Sequence, residues 1–448
     1  MKNTINRLTA LTGLTRAESV NAGWLVFGTL FRLSVAAAMD IAVARYLEPE
    51  GFGQLRFAIA VMLLFGSLSG FGLGGLAVRD LVQNPERRDQ ILGTVIGLRF
   101  FIAVLSVPFA VVTAYALRPG DQDVIVMTAI LSTMGTLAIM DSVDFLIQAE
   151  LKSNYTVIAR TVSLAVTSTV KIVLIVIDAP LWTFGVAYGV EFLMTAVTYF
   201  VAYVKLGYSP FRLRFHADQA KYMLLLIWPL FFAGVANTIN LRADQVMLGA
   251  IKGTEEVGYF AAASRLTIIW LFVPDAIALS AFPALVRARE SGGEMYRARL
   301  QLLYSVLCWM GMGVAVVTTL SASLIVGLLY GPEFEETRDL LIVQIWASPF
   351  IFMGTLFNRW LTVEGRFGIT TFRHAVGAAV NISLNLLLIP KYGGMGASVA
   401  GIISFASASY FASFFQEPTR EAGMMMTRAL LRGPLDIFEA LRRGPPRL

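Results

Sequence analysis

Charge is what this chain has least of. Only 15% of its 448 residues are Asp, Glu, Lys or Arg, while 56% are hydrophobic. A soluble protein carries about 25% charged residues, so a soluble globular class is excluded. The mean hydropathy of +0.68 agrees. There is a single cysteine, Cys308, so no intrachain disulfide can form. It lies in an apolar run and reads as a small buried apolar residue. Two histidines, His216 and His374, are too few for a metal cluster, and no cofactor is expected. No cleavable signal peptide is expected, because the first apolar run is too long for one and follows a polar lead, 1–19. The loops are short, the longest between runs being 205–221, which leaves no room for a soluble catalytic domain.

What the chain has instead is long apolar runs. Twelve are expected as membrane-spanning helices: 20–44, 55–78, 91–116, 124–147, 155–177, 181–204, 222–248, 257–283, 300–328, 340–361, 372–389 and 394–415. Hydrocarbon admits only helices and closed barrels, so the expected class is an all-α polytopic membrane protein. The domains expected are an N-terminal lead, 1–19; a six-helix lobe, 20–204; an inter-lobe loop, 205–221; a second six-helix lobe, 222–415; and a tail, 416–448. Within the tail, Pro434 to Leu441 is a candidate amphipathic helix, with a disordered tail as the alternative. Loop lysines and arginines number 22 on one side, from Lys2 and Arg7 to Arg447, against five on the other, Arg45, Arg118, Lys252, Arg338 and Lys391. That bias places both termini in the cytoplasm. The net charge of +6 is therefore no sign of a nucleic-acid partner.

The halves repeat. Glu50-Gly51-Phe52-Gly53 matches Glu255-Glu256-Val257-Gly258 at an offset of 205. Later, at an offset of 214, Asp144 matches Asn358, Glu150 matches Glu364, Arg160 matches His374, Thr167 matches Asn381 and Lys171 matches Asn385. Both halves start on the same side, so the repeat is parallel, an arrangement that places a substrate path between paired bundles.

Charges inside spans are expensive and mark interiors or water-filled paths. Arg32 and Asp40 lie in the first run, and Arg99 in the third. At about 100° per residue, Arg160, Ser163, Thr167 and Lys171 form one stripe, and Asp178 extends it outward. His374, Asn381 and Asn385 form the corresponding stripe in the second half; Asn237, Asn240 and Asp244 share another face. These groups either bond one another as helix glue or line a path. Two like charges on one face, Arg160 and Lys171, cannot satisfy each other. Asp244 is expected to pair with Arg265. Asp141 and Asp144 share a face, and Glu191 and Asp275 read as counter-ions or coupling sites. Basic groups within spans number nine and acidic ones six. Arginine forks suit phosphate, so a cavity of this kind suits an anionic head group. Pro229, Pro274 and Pro349 are candidate bends.

Arg45-Tyr46-Leu47-Glu48-Pro49-Glu50-Gly51-Phe52-Gly53 resembles the A-R-x-L-x-P-x-x-F-G signature of bacterial polysaccharide flippases. So do Asp244 to Gly249 with Val257-Gly258-Tyr259, and Asn381 to Pro390 with Tyr392 to Ala397. The chain is similar over nearly its whole length to O-antigen and exopolysaccharide flippases of the multidrug/oligosaccharidyl-lipid/polysaccharide exporter superfamily. The resemblance implies two pseudo-symmetric six-helix lobes around a central cavity. It implies movement of an undecaprenyl-diphosphate-linked glycan across the inner membrane, not catalysis, with membrane lipids and other glycan-assembly proteins as partners. A role in contacting diphosphate or acidic sugar carries over to Arg32, Arg160, Lys171 and Arg99. Three rivals stand beside it: a multidrug cation antiporter of the same superfamily, a major-facilitator transporter, and an integral-membrane glycan polymerase or ligase. The second lacks its usual loop between spans 2 and 3; the third would need a large outer loop.

Overall fold

A computed structural model describes residues 16–443 except Phe71 and Gly292; for residues 16–31 and some later positions, Arg287 among them, only the backbone is described. Lys2, Arg7 and Arg447, counted above, lie outside the described residues. No strand occurs among the described residues. The helices are α1 (Arg16–Gly66), α2 (Leu73–Gln83), α3 (Arg88–Leu117), α4 (Gln122–Gly135), α5 (Val143–Ala149), α6 (Ser153–Val176) and α7 (Leu181–Lys205). Then come α8 (Ala217–Ile251), α9 (Thr254–Ile269), α10 (Phe272–Ser291), α11 (Gly293–Leu329), α12 (Glu335–Gln344), α13 (Ser348–Val363), α14 (Phe367–Ser409) and α15 (Arg420–Arg443).

By length and composition, nine described segments can cross a membrane, or ten with the two halves of α8 taken as one span. Two of them, Arg32–Gln83 and Gly368–Phe414, have 52 and 47 residues. A straight helix of that length would run over ~70 Å, against about 30 Å of hydrocarbon. Each is broken by a non-helical residue, Glu48 (φ 56°, ψ 175°) before Pro49 in α1 and Gly393 (φ 54°, ψ −135°) in α14. The expected twelve spans are reached only if each of these counts as two. Pro229 lies at the 58° bend of α8, where a missing N–H weakens the ladder. Pro349 instead opens α13, and Pro274 lies in the first turn of α10. Neither of these kinks the middle of a helix.

The chain forms two compact units that divide between Thr238 and Ile239, within α8. In the first, α1 packs on α3, α4 and α6, and α7 on α4 and α6. In the second, α11 packs on α10, α12, α13 and α15, and α14 on α12 and α13. Residues 420–443 are thus a single helix packed on α11, in place of the short helix or disordered tail expected. Ala422, Met426 and Ala429, spaced on one face, are buried there, and the Trp309 indole N–H donates to the Ala429 carbonyl at 2.9 Å. Cys308 is buried in the same core.

The internal repeat is visible in the turns. In the first unit the Tyr46 hydroxyl donates to Asp178 (2.8 Å) and to the Ala179 carbonyl (2.9 Å), tying the break in α1 to the α6–α7 turn. In the second, the Gly394 N–H donates to Glu256 at 2.8 Å, tying the start of α9 to the break in α14. At the opposite ends, Glu150 accepts from Lys152 (2.8 Å) and from the Tyr208 hydroxyl. Its match Glu364 accepts from Arg289 (3.0 Å) and the Tyr296 hydroxyl (3.2 Å). Burial pushes the Glu150 carboxyl upward, but Lys152 and Tyr208 together outweigh it and hold it below the usual carboxylate range.

α11 and α13 touch at Gly311, where an added Cβ would come within 2.8 Å of the Pro349 backbone. Backbone cannot swing aside as a side chain can. Gly311→Val therefore forces the helices apart at a cost of about 1–3 kcal/mol. Thermal unfolding of the purified protein in detergent is expected to show a lower midpoint for G311V than for Gly313→Val, whose Cβ meets nothing within 4 Å.

Candidate functional site

The polar residues singled out from the sequence fall into separate clusters, each built inside one unit. In the first unit, Asp144 on α5 is buried. It accepts from Arg160 Nη2 on α6 (3.1 Å), Gln148 Nε2 (3.0 Å) and the Thr156 hydroxyl. The guanidinium of Arg160 also donates through Nε to the Tyr199 hydroxyl of α7 at 3.0 Å. Its side chain remains 39% exposed. Nearby, Arg99 on α3 is buried and bonds Asp141 and the Ser142 hydroxyl (2.7 Å). The segment Thr136–Ser142 is a 3₁₀ turn, and it delivers Asp141 to α3 while Asp144 serves α6. The two acids, expected on one face, therefore neutralise different neighbours.

A second cluster surrounds Asp40 of α1. Its carboxylate forms an ion pair with Arg56 (Nη2 at 2.8 Å) and accepts a hydrogen bond from the Tyr188 hydroxyl of α7 (2.6 Å). Lys171 of α6 is buried, with its ammonium 3.4 Å from the centre of the Tyr188 ring, a cation–π contact. Arg160 and Lys171 share a helix face but not a partner, which resolves the conflict of like charges on one stripe. Glu191 of α7 and Arg32 of α1 are half-buried. Arg32 lies in the electrostatic field of Arg160, Glu191 and Asp144. Among the described residues it makes no hydrogen bond or ion pair. Of the four cations expected to contact diphosphate or acidic sugar, Arg99 and Arg160 are thus each matched by an acid.

The second unit is quieter. Asp244 of α8 is buried and accepts from the amides of Asn381 (2.8 Å) and Asn385 (2.6 Å) on α14; Asn385 also donates to Asn381 Oδ1 at 3.0 Å. This replaces the expected Asp244–Arg265 pair. Asparagine Nδ2 groups four residues apart on α14 converge on one carboxylate, whereas Arg265, half-buried on α9, is held by other contacts. Asn240 is buried and accepts from the Ser404 hydroxyl, which also donates to the Gly377 carbonyl at 2.9 Å. Asn237, half-buried, falls in the first unit, on the other side of the division from Asn240. Asn240, Asp244 and Gln245 border a cavity of about 110 Å³, closed on its other walls by Phe260, Gln344 and Phe405. Arg373 is buried, with its guanidinium 5.1 Å from the centre of the Phe357 ring.

Sequence reasoning missed the tyrosines. Tyr188 and Tyr199 lie eleven residues apart on α7, which puts them on one helix face, but neither type nor spacing distinguishes them from ordinary aromatic filling.

The fold defines a class. The lipid II flippase MurJ, in an inward closed conformation, superposes with a TM-score of 0.68 at 15% identity, covering 91% of each chain. A multidrug resistance MATE family transporter of the MOP superfamily gives 0.65 at 13% identity, over 93% of this chain and 96% of the other. This is a multi-pass, all-helical membrane protein with the fold those transporters share. The model of the family described as "Polysaccharide biosynthesis protein" matches residues 20–289, and the chain belongs to that family. Relatives include the capsular polysaccharide biosynthesis protein CapF of Staphylococcus aureus, 17% identical over 83% of this chain and 92% of CapF. The succinoglycan biosynthesis transport protein ExoT of Rhizobium meliloti (strain 1021) is 20% identical over 77% of this chain and 67% of ExoT.

Removing one amide from Asp244 leaves a buried carboxylate half-satisfied, which costs about 1–3 kcal/mol. Asn385→Leu is expected to lower the melting midpoint of the purified protein. The double variant Asn385→Leu with Asp244→Leu, which removes the carboxylate too, is expected to recover part of that loss. A midpoint unchanged in the single variant would show that the carboxylate does not depend on Asn385.

Proposed function

We propose that this protein is a flippase that moves an undecaprenyl-diphosphate-linked oligosaccharide across the bacterial inner membrane during surface polysaccharide synthesis. What carries the reading is the family match over residues 20–289. CapF and ExoT, by name, serve capsular polysaccharide and succinoglycan biosynthesis, and MurJ is a lipid II flippase. The chain acts as a transporter, not an enzyme, with both termini in the cytoplasm as the loop charges require. Other glycan-assembly proteins supply its substrate.

The charged face of the first unit gives that reading a physical basis. Arg32 has no acid of its own among the described residues and lies in the field of Arg160. Two guanidinium groups in one field repel each other, so an arriving phosphate is stabilised by both. Arg160 keeps its fork positioned by Asp144 and Tyr199 while part of it stays accessible. The diphosphate meets Arg32 first, with Arg160 as its second contact. Lys171 and Arg99 hold the shape of the face through Tyr188 and Asp141. Transport follows by alternating access, the head group passing along the cationic face while the prenyl chain stays in lipid.

The rival reading as a multidrug cation antiporter would need acids free to bind a cation. Asp40, Asp141, Asp144 and Asp244 each have protein partners, whereas Glu191 and Asp275 make no side-chain hydrogen bond or ion pair among the described residues and are the acids that reading would have to use. Export of surface glycan in a strain lacking the native gene tests the proposal. Arg32→Ala is expected to reduce export at least several-fold at normal protein levels, and Lys171→Ala to reduce it less. Full export by both variants would remove the cationic face from the mechanism.

A further inference from the structure

The first unit carries a built apolar groove away from the charged face. The loop between α7 and α8 lies directly on α3, because two glycines one helical turn apart make room for it. A Cβ on Gly93 would fall 2.6 Å from the Arg214 backbone, and one on Gly97 would fall 2.7 Å from the Phe215 ring. Two hydrogen bonds fasten the loop: the Arg214 N–H donates to the Asp89 carbonyl (3.2 Å) and the His216 N–H to the Thr94 hydroxyl (3.1 Å). Small residues spaced in this way usually let two helices approach; here they seat a loop. The loop, in turn, fixes Phe215 as one wall of a groove of about 510 Å³. Leu98, Leu224, Leu225 and Trp228 complete the walls, and Lys221 is the one charged residue in the lining.

The chemistry of the groove is that of a lipid with an anionic head. Leu225 and Trp228 are 67% and 59% exposed, so the walls offer uncovered apolar surface. Lys221, Lys205 at the end of α7, and Arg212 and Arg214 in the adjoining loop are exposed and make no ion pair among the described residues. Positive charge therefore gathers at the water end of an apolar trough. The lining of the trough ends at Trp228, next to the 58° bend of α8. An extended hydrocarbon chain with phosphate at one end matches this layout in both parts.

We propose that this groove holds the polyprenyl chain of the carrier lipid, with Lys221 at its phosphate end, as a docking site separate from the charged face at Arg32 and Arg160. It rests on the flippase reading given above, which names the carrier. The groove takes up the lipid before the head group reaches Arg32, and keeps the chain beside the unit while the head crosses.

The test is photolabelling of the full-length protein in nanodiscs with a diazirine-bearing polyprenyl diphosphate, followed by peptide mapping. Label is expected on residues 215–228, displaced by excess unlabelled polyprenyl diphosphate but not by the same excess of phosphatidylglycerol. Ala217 is exposed and lines the groove, so Ala217→Trp fills it without disturbing the core; this variant is expected to lose labelling at least tenfold. Lys221→Glu is expected to weaken labelling several-fold, with a smaller loss at high salt, where charge effects are screened. Label elsewhere, label unchanged in A217W, or equal displacement by phosphatidylglycerol would each overturn the assignment. Labelling requires no transport, so export in the same variants separates the two readings. Specific labelling of the groove in a protein that exports no glycan would sink the flippase reading and leave the site standing. Export with no label in the groove would do the reverse.

Discussion

An ion inside hydrocarbon must find a partner or water, and that requirement organises both units. A charged side chain at the bilayer centre costs several kcal/mol or more if left alone. In the first unit, carboxylates of Asp40, Asp141 and Asp144 meet guanidinium groups from a different stretch of helix, and tyrosine hydroxyls complete the shells of Asp40 and Arg160. Each such bond joins segments that helix packing alone would leave free to slide. The charges thus tie helix segments in register. Replacing a buried pair with apolar groups is often neutral for stability, so retention of so many fits a role beyond holding the fold. In the second unit the positions matching Asp144 and Lys171 carry asparagines, and Asp244 is held by two asparagines in place of a cation.

The asymmetry follows the internal repeat. At the offset of 214, Thr167 and Lys171 become Asn381 and Asn385, and Arg160 becomes His374. The turns at both ends keep their bonding: a glutamate at one end accepts from a base and a tyrosine, and a bond at the other ties a broken helix to a distant turn. The scaffold and the polar stripe are therefore repeated, while the stripe's charge is not. In the first unit Asp141 and Asp144 meet Arg99 and Arg160; in the second the buried Asp244 is held by amides. A flippase for a phosphate-bearing lipid needs its cations on a surface it can present, and a single charged face is enough.

The division of labour within the first unit is spatial. Arg32 and Arg160 belong to a polar face, whereas the groove under Phe215 and Trp228 is apolar with a basic rim. A lipid-linked glycan is itself divided in this way. Its head cannot enter hydrocarbon and its chain does not leave it, so a protein that carries it is expected to offer two surfaces of opposite character.

Composition and periodicity alone determined that this chain is a helical bundle in a membrane, because apolar length and the ban on unpaired backbone in lipid leave no other choice. They also located the polar stripe of α6 and its counterpart on α14, since helical spacing is fixed by geometry. Motifs such as Arg45 to Gly53 pointed to the family. Which charge meets which was decided only in three dimensions. The sequence offered Arg265 to Asp244, but the helix facing it carried Asn381 and Asn385; it left Arg160 and Lys171 in conflict, and Tyr188 and Tyr199 settled the matter. The packed helix at 420–443 escaped notice because its apolar face is short and lies among arginines. Partner choice depends on which helix stands alongside, a fact encoded across distant segments and not in local spacing.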